Sequence, residues 1–122
     1  MRVLIVDDNL ELLESLAVLL NSAGHEVDTA ASAAEALAKQ CARPADVLIT
    51  DIFMPDTDGL EAVAAFRRGW PRLKIIAMSG GGRVAKGNYL ETARIVGADA
   101  MLRKPFAPGE LLALLGSFPA QP

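Results

Sequence analysis

One pattern constrains this chain more than any other: short β-branched apolar runs, too brief for a helix, alternate with longer stretches whose apolar residues recur at helical spacing. Val3 to Val6 is such a run, Val-Leu-Ile-Val, stopped by Asp7-Asp8. Its unbroken apolar character predicts a central parallel strand buried on both faces. Asn9 is a good cap, and Leu12, Leu13, Leu16, Leu19, Leu20 and Ala23 keep helical spacing up to Gly24, which suits the left-handed position after a helix. Val27 to Ala30 reads as a weaker strand. Ser32-Ala-Ala-Glu35 has capping-box spacing and opens a second helix to about Cys41, which Arg43-Pro44 ends. Asp46-Val-Leu-Ile-Thr-Asp51 repeats the first pattern of apolar residues closed by a carboxylate. Met54 to Gly59 is loop chemistry, with Asp58 and Glu61 spaced to cap a third helix to about Arg68. Pro71 separates that helix from a fourth strand, Lys74 to Ser79. Gly80 to Gly87 holds four glycines and leads to a fourth helix from Asn88 to about Val96. Ala100-Met-Leu is a short fifth strand, Lys104-Pro105 a turn, and Glu110 to about Gly116 the last helix.

Strands and helices that alternate in this way dictate a parallel sheet with right-handed crossovers and helices over both faces, so the fold class is doubly wound α/β. With 122 residues, 52% of them hydrophobic and 22% charged, the chain has material for one domain with a real core. That domain is expected over residues 1–118, with 119–122 as a frayed tail. Twelve basic against fifteen acidic residues leave a net charge of -3, too few cations to track a phosphate backbone, so no direct nucleic-acid binding is expected. The longest uncharged stretches, Ser15 to His25 and Leu111 to Pro122, fall short of the roughly 18 apolar residues that span a bilayer. Met1-Arg2 leads directly into a short apolar run, unlike a secretory signal, and the single Cys41 makes no internal disulfide. These features point to a cytoplasmic location and a bystander thiol.

In open α/β sheets ligands bind beyond the carboxyl ends of the strands, where the strand order reverses. Strand one ends in Asp7-Asp8, strand three in Asp51 and strand four in Ser79, while Lys104 follows strand five. Singly, each has an ordinary explanation as a turn residue, a cap or a solvated charge. Jointly they do not, because close carboxylates repel by about 4 kcal/mol per pair at an effective dielectric near 20. A cation belongs among them. Mg²⁺ suits an all-oxygen site that supplies only one or two carboxylates, and His25, in a turn after the first helix, is placed far from it. A carboxylate beside such an ion, a hydroxyl and a lysine is equipped for phosphoryl transfer to form an acyl phosphate. Asp51, flanked by the acidic pair, is then the nucleophile, Asp7 and Asp8 hold the metal, and Lys104 and Ser79 contact the transferred phosphoryl oxygens.

Val6-Asp7-Asp8, Asp51 with Met54-Pro55, Asp58-Gly59, Ser79-Gly80 and Lys104-Pro105-Phe106 together resemble the receiver domain of bacterial two-component response regulators. The match covers nearly the whole chain, and five such tags in order at the right strand ends make it specific. The resemblance implies a flavodoxin-like (βα)5 sheet of order 2-1-3-4-5. It implies phosphorylation of Asp51 by a phosphohistidine donor, either a sensor histidine kinase or a histidine phosphotransfer protein. It further implies Mg²⁺ held by Asp8, Asp51 and the backbone carbonyl of Phe53, with Asp7 acting through water, and a cis bond before Pro105. The acceptor turns over its own acyl phosphate and no separate substrate, so it is not an enzyme in the usual sense. Output then passes to a partner in trans, or the chain is the receiver of a larger regulator. A monomer or weak dimer is expected.

Two departures qualify the resemblance. The family's switch pairs the hydroxyl residue of strand four with an aromatic three residues before the lysine, and Met101 stands there, without ring or hydroxyl. The glycine-rich Gly80–Gly87 stretch is the second, and coupling is expected to run through it. In the last helix Leu111, Leu112, Leu114 and Leu115 cannot all face the sheet at 3.6 residues per turn, which leaves a partly exposed apolar strip. Competing readings fail on particular residues. An aspartyl-phosphate phosphatase needs a second acid two residues after its nucleophile, where Phe53 stands. Gly82 to Gly87 has the spacing of a phosphate loop but is followed by Asn88 where a lysine is required. Gly80 to Ala85 mimics a dinucleotide fingerprint after the wrong strand. A receiver-like binding module that is never phosphorylated remains the alternative.

Overall fold

The computed structural model describes residues 1–54, 57–79 and 97–118. The expected Gly80–Gly87 connection, the helix at Asn88–Val96 and the tail at 119–122 lie outside the described residues. Within them the chain runs β1 (Arg2–Val6), α1 (Leu10–Ser22), β2 (Glu26–Ala30), α2 (Ala33–Ala42), β3 (Val47–Asp51), β4 (Phe53–Met54), β5 (Thr57–Asp58), α3 (Gly59–Gly69), β6 (Lys74–Ser79), β7 (Ala100–Arg103) and α4 (Pro108–Ser117). The main sheet has the order β2-β1-β3-β6-β7, and every neighbouring pair is parallel. Counted by its five strands alone this is 2-1-3-4-5, the order that the resemblance implies, in the doubly wound class that the alternating pattern predicts. The chain direction reverses its march across the sheet between β1 and β3, so the strand ends around that point form the natural crevice.

Burial follows the apolar runs. All of β3 is buried, as are four of five residues in β1 and five of six in β6, while the edge strand β2 buries only Ala30. The sheet separates two cores. One gathers Leu4, Val6, Leu48, Ile52 and Ile75 with Val63 and Phe66 of α3 and Ala33 and Ala36 of α2. The other gathers Val3, Ile5, Ile49, Ile76 and Met78 with Leu13, Leu16 and Leu20 of α1 and Leu111 and Leu115 of α4. Leu111 and Leu115, four residues apart, take the sheet-facing stripe, and Leu112 and Leu114 are half-buried, which is how the crowded leucines of this helix divide.

The caps explain the boundaries. Asn9 Oδ1 accepts from the Leu12 N–H at 3.2 Å, and Ser32 Oγ from Glu35 N–H at 3.1 Å. Glu35 reaches past its cap to accept from Ala31 N–H at 2.8 Å, so the reciprocal bond of a standard capping box is displaced by one residue. Gly24 ends the α1 turn at φ 94°, as its position required. The last helix corrects the expected start at Glu110: it begins at Pro108, with Ala107 as cap and the Glu110 carboxylate accepting from Ala107 N–H at 3.1 Å. Proline at the first helical position lacks an N–H that would have no partner there, a start signal that the carboxylate pattern alone did not reveal. The stretch after Asp51, expected as loop, contains a two-residue antiparallel pair, Phe53↔Asp58 and Met54↔Thr57.

Along the β2 edge, Arg2 pairs with Glu26 and Asp28, Arg43 with Glu26, and Lys39 with Asp28 and Glu35. The Ala31 N–H holds the Glu35 carboxyl below its ordinary value of 4.5; desolvation, the next largest influence, opposes it, and Lys39 acts with the Ala31 N–H. Desolvation works to lower the Lys39 pKa, but Glu35 and Asp28 outweigh it and raise the ammonium above 10.5. A carboxyl depressed on folding adds stability above its ordinary pKa and loses it as pH falls through the folded value. Glu35→Gln should therefore cost a few tenths of a kcal/mol at pH 7, because the group is exposed, and should flatten the acid limb of a stability profile below pH 4.5. Ser32→Ala should cost about 1 kcal/mol at any pH where the chain is folded, measured by denaturant unfolding.

Candidate functional site

The carboxyl ends of β1, β3, β6 and β7 meet at one edge because their register places them there. Val6 lies opposite Thr50, Asp51 opposite Met78, and Ser79 opposite Arg103. Each strand's next polar residue therefore arrives at the same rim. Asp7 follows β1 and is 1% exposed, Asp51 closes β3 at 4%, and Asp8 is exposed. One carboxylate oxygen from each of Asp7, Asp8 and Asp51 lies within 4.8 Å of the others. The trio expected from the sequence is thus assembled.

A cation is already among them. Lys104 Nζ donates to Asp7 Oδ2 at 2.7 Å and stands 3.5 Å from Asp51 Oδ2. Asp7 Oδ1 accepts from the Asn9 N–H at 2.9 Å, so the cap of α1 also orients the buried carboxylate. The Asp7 N–H in turn donates to Ala30 O at 3.1 Å, and Ile52 N–H to Met78 O at 3.0 Å, fixing the backbone on either side of the two buried acids. Lys104 is placed through its own backbone: its N–H donates to Ser79 O at 2.8 Å, and the Lys104-Pro105 bond is cis. Ser79 is buried at 4% beside it.

The arrangement refines the electrostatic argument. Three carboxylates and one ammonium leave an excess of two negative charges, which matches a divalent ion in charge as the all-oxygen donor set matches Mg²⁺ in kind. Sequence reasoning placed Lys104 against a phosphoryl group and did not foresee its resting bond to Asp7. Phe53 opens β4 two residues past Asp51. Met101 is not part of the cluster: it lies opposite Ala77, two residues before Ser79, half-buried against the core that α2 and α3 cover. His25 lies near the Met1 amino group, beside the start of β1 and so away from the acids.

Beside Lys104 opens a groove of about 500 Å³ whose walls are Leu12, Leu16 and Leu19 of α1 with Asn9 and Ser15, facing Pro105 and Phe106 of the following loop and Pro108 at the start of α4. Nothing in the sequence marked this groove, because it joins one helix face to a loop nearly a hundred residues away. The helical stripe of α1 was visible; that Leu12 and Leu19 are only partly covered by the core was not.

The family model described as the response regulator receiver domain matches residues 3–116. The transcriptional regulatory protein KdpE of Mycobacterium tuberculosis is 34% identical over 113 residues, covering 93% of this chain and 48% of its own length. The transcriptional regulatory protein PhoP of Escherichia coli is likewise 34% identical, over 115 residues, with 93% and 49% covered. The chain thus spans about half the length of these curated relatives. Among solved structures, the chemotaxis protein CheY4 of Vibrio cholerae superposes with a TM-score of 0.85 at 35% identity, covering 94% of this chain and 95% of that one.

The charge crowding carries a prediction that needs no ligand. In chelator-treated protein, Asp8→Asn should stabilise the fold by about 1 kcal/mol in urea unfolding, since it removes one member of a repelling trio. Lys104→Met should destabilise by about 1–3 kcal/mol, because it leaves the buried Asp7 carboxylate without its charged partner.

Proposed function

This chain belongs to the receiver-domain family of response regulators, and on that premise we propose that it is a phosphorylation-controlled signalling switch, accepting phosphate on Asp51 from a phosphohistidine donor in a Mg²⁺-dependent reaction. The observation that carries the reading is the trio of carboxylates within 4.8 Å of one another with a lysine ammonium against two of them. Asp8, Asp51 and the Phe53 carbonyl would hold Mg²⁺, with Asp7 acting through water. Bound there, Mg²⁺ would screen the like charges of carboxylate and phosphoryl oxygens as they approach.

The protein's own groups do the rest by position. Asp51, held at the end of a fully buried strand, presents its carboxylate oxygen to phosphorus; the oxygen–phosphorus bond forms as the donor's phosphorus–nitrogen bond breaks, and the imidazole departs. Lys104 is only 3.5 Å from Asp51 while bonded to Asp7, so a small displacement brings its ammonium to a phosphoryl oxygen. The Ser79 hydroxyl is the second donor. Hydrolysis of the acyl phosphate returns Asp51 to its starting state, so the chain acts as a phosphoacceptor and not on a separate substrate.

The donor docks in the groove between α1 and the loop after Lys104. That groove is lined mainly by apolar side chains and adjoins the site through Lys104 itself. It suits an amphipathic helix of a cytoplasmic sensor histidine kinase or histidine phosphotransfer protein. Output passes in trans to a partner that distinguishes the two states, or through a longer regulator that contains this receiver. Because Met101 lacks the ring that family members use to report phosphorylation, coupling is proposed to follow Ser79 instead.

Incubation with Mg²⁺ and a small phosphodonor should add one phosphoryl group by mass spectrometry, and Asp51→Asn should abolish the adduct; label that persists in the mutant would place the acceptor elsewhere. Asp8→Ala should weaken Mg²⁺ binding by about tenfold or more, read by titration calorimetry. Leu12→Glu should slow transfer from a phosphohistidine protein by about tenfold yet leave uptake from the small donor unchanged, and equal slowing of both would remove the groove from the account.

A further inference from the structure

Far from the acids, at the opposite edge of the sheet, Arg67 near the end of α3 uses all five of its N–H donors. Nε and Nη2 donate to Gly97 O at 3.2 and 2.7 Å, Nη1 to Pro71 O at 2.8 Å and Leu73 O at 2.7 Å, and Nη2 to Asp99 Oδ2 at 2.7 Å. The same Asp99 oxygen accepts from Ile75 N–H at 2.8 Å, and the Asp99 N–H donates to Ile75 O at 2.7 Å. Gly97 sits at φ 134°, where a Cβ would come within 3.0 Å of Arg67 Cβ, so a glycine is what lets the arginine stem lie across this backbone. One guanidinium therefore ties the end of α3, the approach to β6 and the approach to β7 into a single knot. Neither the acid cluster nor the proposed reaction uses it.

We infer that Arg67 is a positioning residue for Lys104, setting the register of β7 on β6, and so the place of Lys104 beside Ser79, from the edge opposite the phosphoacceptor. The inference rests on the phosphoacceptor reading. Register in a sheet is set by which residues must be buried, and β7 is poorly specified in that respect: of its four residues only Leu102 is buried. Its partner β6 is nearly all buried and cannot slide. The β7 strand thus takes its alignment from its two ends. One is the Arg67–Asp99 knot; the other is Lys104 N–H on Ser79 O at 2.8 Å, which is the site itself. The four residues of β7 lie between Asp99 and Lys104, a span of roughly 16 Å of extended chain. Release of the knot lets β7 shift along β6 and carries the Lys104 ammonium away from Asp7 and Asp51. The acids stand on β1 and β3, which the knot does not touch.

This division supplies a readout that a merely structural role would not move. Mg²⁺ alone probes the half of the site on β1 and β3; fluoroberyllate with Mg²⁺, a phosphoryl mimic, also requires Lys104 and Ser79. In Arg67→Met and in the milder Asp99→Asn, at temperatures where melting curves show the full chain folded, Mg²⁺ affinity should hold or rise, because the competing Lys104 ammonium is withdrawn from Asp7 and Asp51, while fluoroberyllate binding should fall by about tenfold or more. Lys104→Met should show the same split. Arg67→Lys should not restore binding, because an ammonium cannot reproduce five planar donors. If both affinities are unchanged, or fall together, in folded Asp99→Asn, the inference is overturned, and Asp99→Asn decides the matter if Arg67→Met does not fold. Failure of the unmodified chain to bind fluoroberyllate would instead overturn the phosphoacceptor reading beneath it.

Discussion

The bond from Lys104 to Asp7 holds in check the crowding of acids on which the site is built. Two carboxylates are buried at neighbouring strand ends with a third beside them, and in a medium less polar than water their mutual repulsion is a cost of several kcal/mol. The apolar strands bring them together because Val3–Val6 and Val47–Ile49 are buried between two layers of helices, and the backbone leaves no freedom over where the next residue emerges. Lys104 arrives from nearly a hundred residues away to offset one of the three charges. What is left is an anionic rim with its cation balance incomplete, a state that a hard divalent ion or an anion-bearing partner with such an ion can complete.

Much of this was legible in the chain. Val-Leu-Ile-Val before Asp7-Asp8 and Val-Leu-Ile-Thr before Asp51 announce strands buried on both faces, and their endings state the site's composition, so the sheet and the acid trio follow from local pattern. Asn9 and Ser32 cap their helices as their side chains suggest. What escaped depends on partners distant in sequence or on backbone detail. The Lys104–Asp7 bond, the knot around Arg67 and the groove between α1 and Phe106 each join segments separated by 30 or more residues, and no periodicity encodes such meetings. Pro108 began its helix two residues before the carboxylate pattern indicated, because a missing N–H is an advantage only at that position. The two-residue pair after Asp51 is too short for any run of residue types to signal.

The two cores divide the labour of the fold. The core shared by α1 and α4 is aliphatic apart from flanking Phe106 and Phe118, and it supports the groove and the residues that frame Lys104. The core under α2 and α3 contains Phe66 stacked at a tilt on Trp70, ring centroids 5.7 Å apart, near the edge remote from the acids. An aromatic pair thus lies on the side of the sheet where Arg67 gathers its carbonyls.

The charged fringe on β2 has a consequence for how the protein keeps company with itself. A signalling receiver must meet partners repeatedly without adhering to its own copies, and the outer strand of an open sheet is a template on which another chain can polymerise. Here Glu26 and Asp28 project along that strand already engaged by Arg2, Arg43 and Lys39. An approaching edge would have to strip water and counter-charges from this fringe before a single amide could pair, so self-assembly along the sheet is discouraged and encounters are steered toward the helical faces.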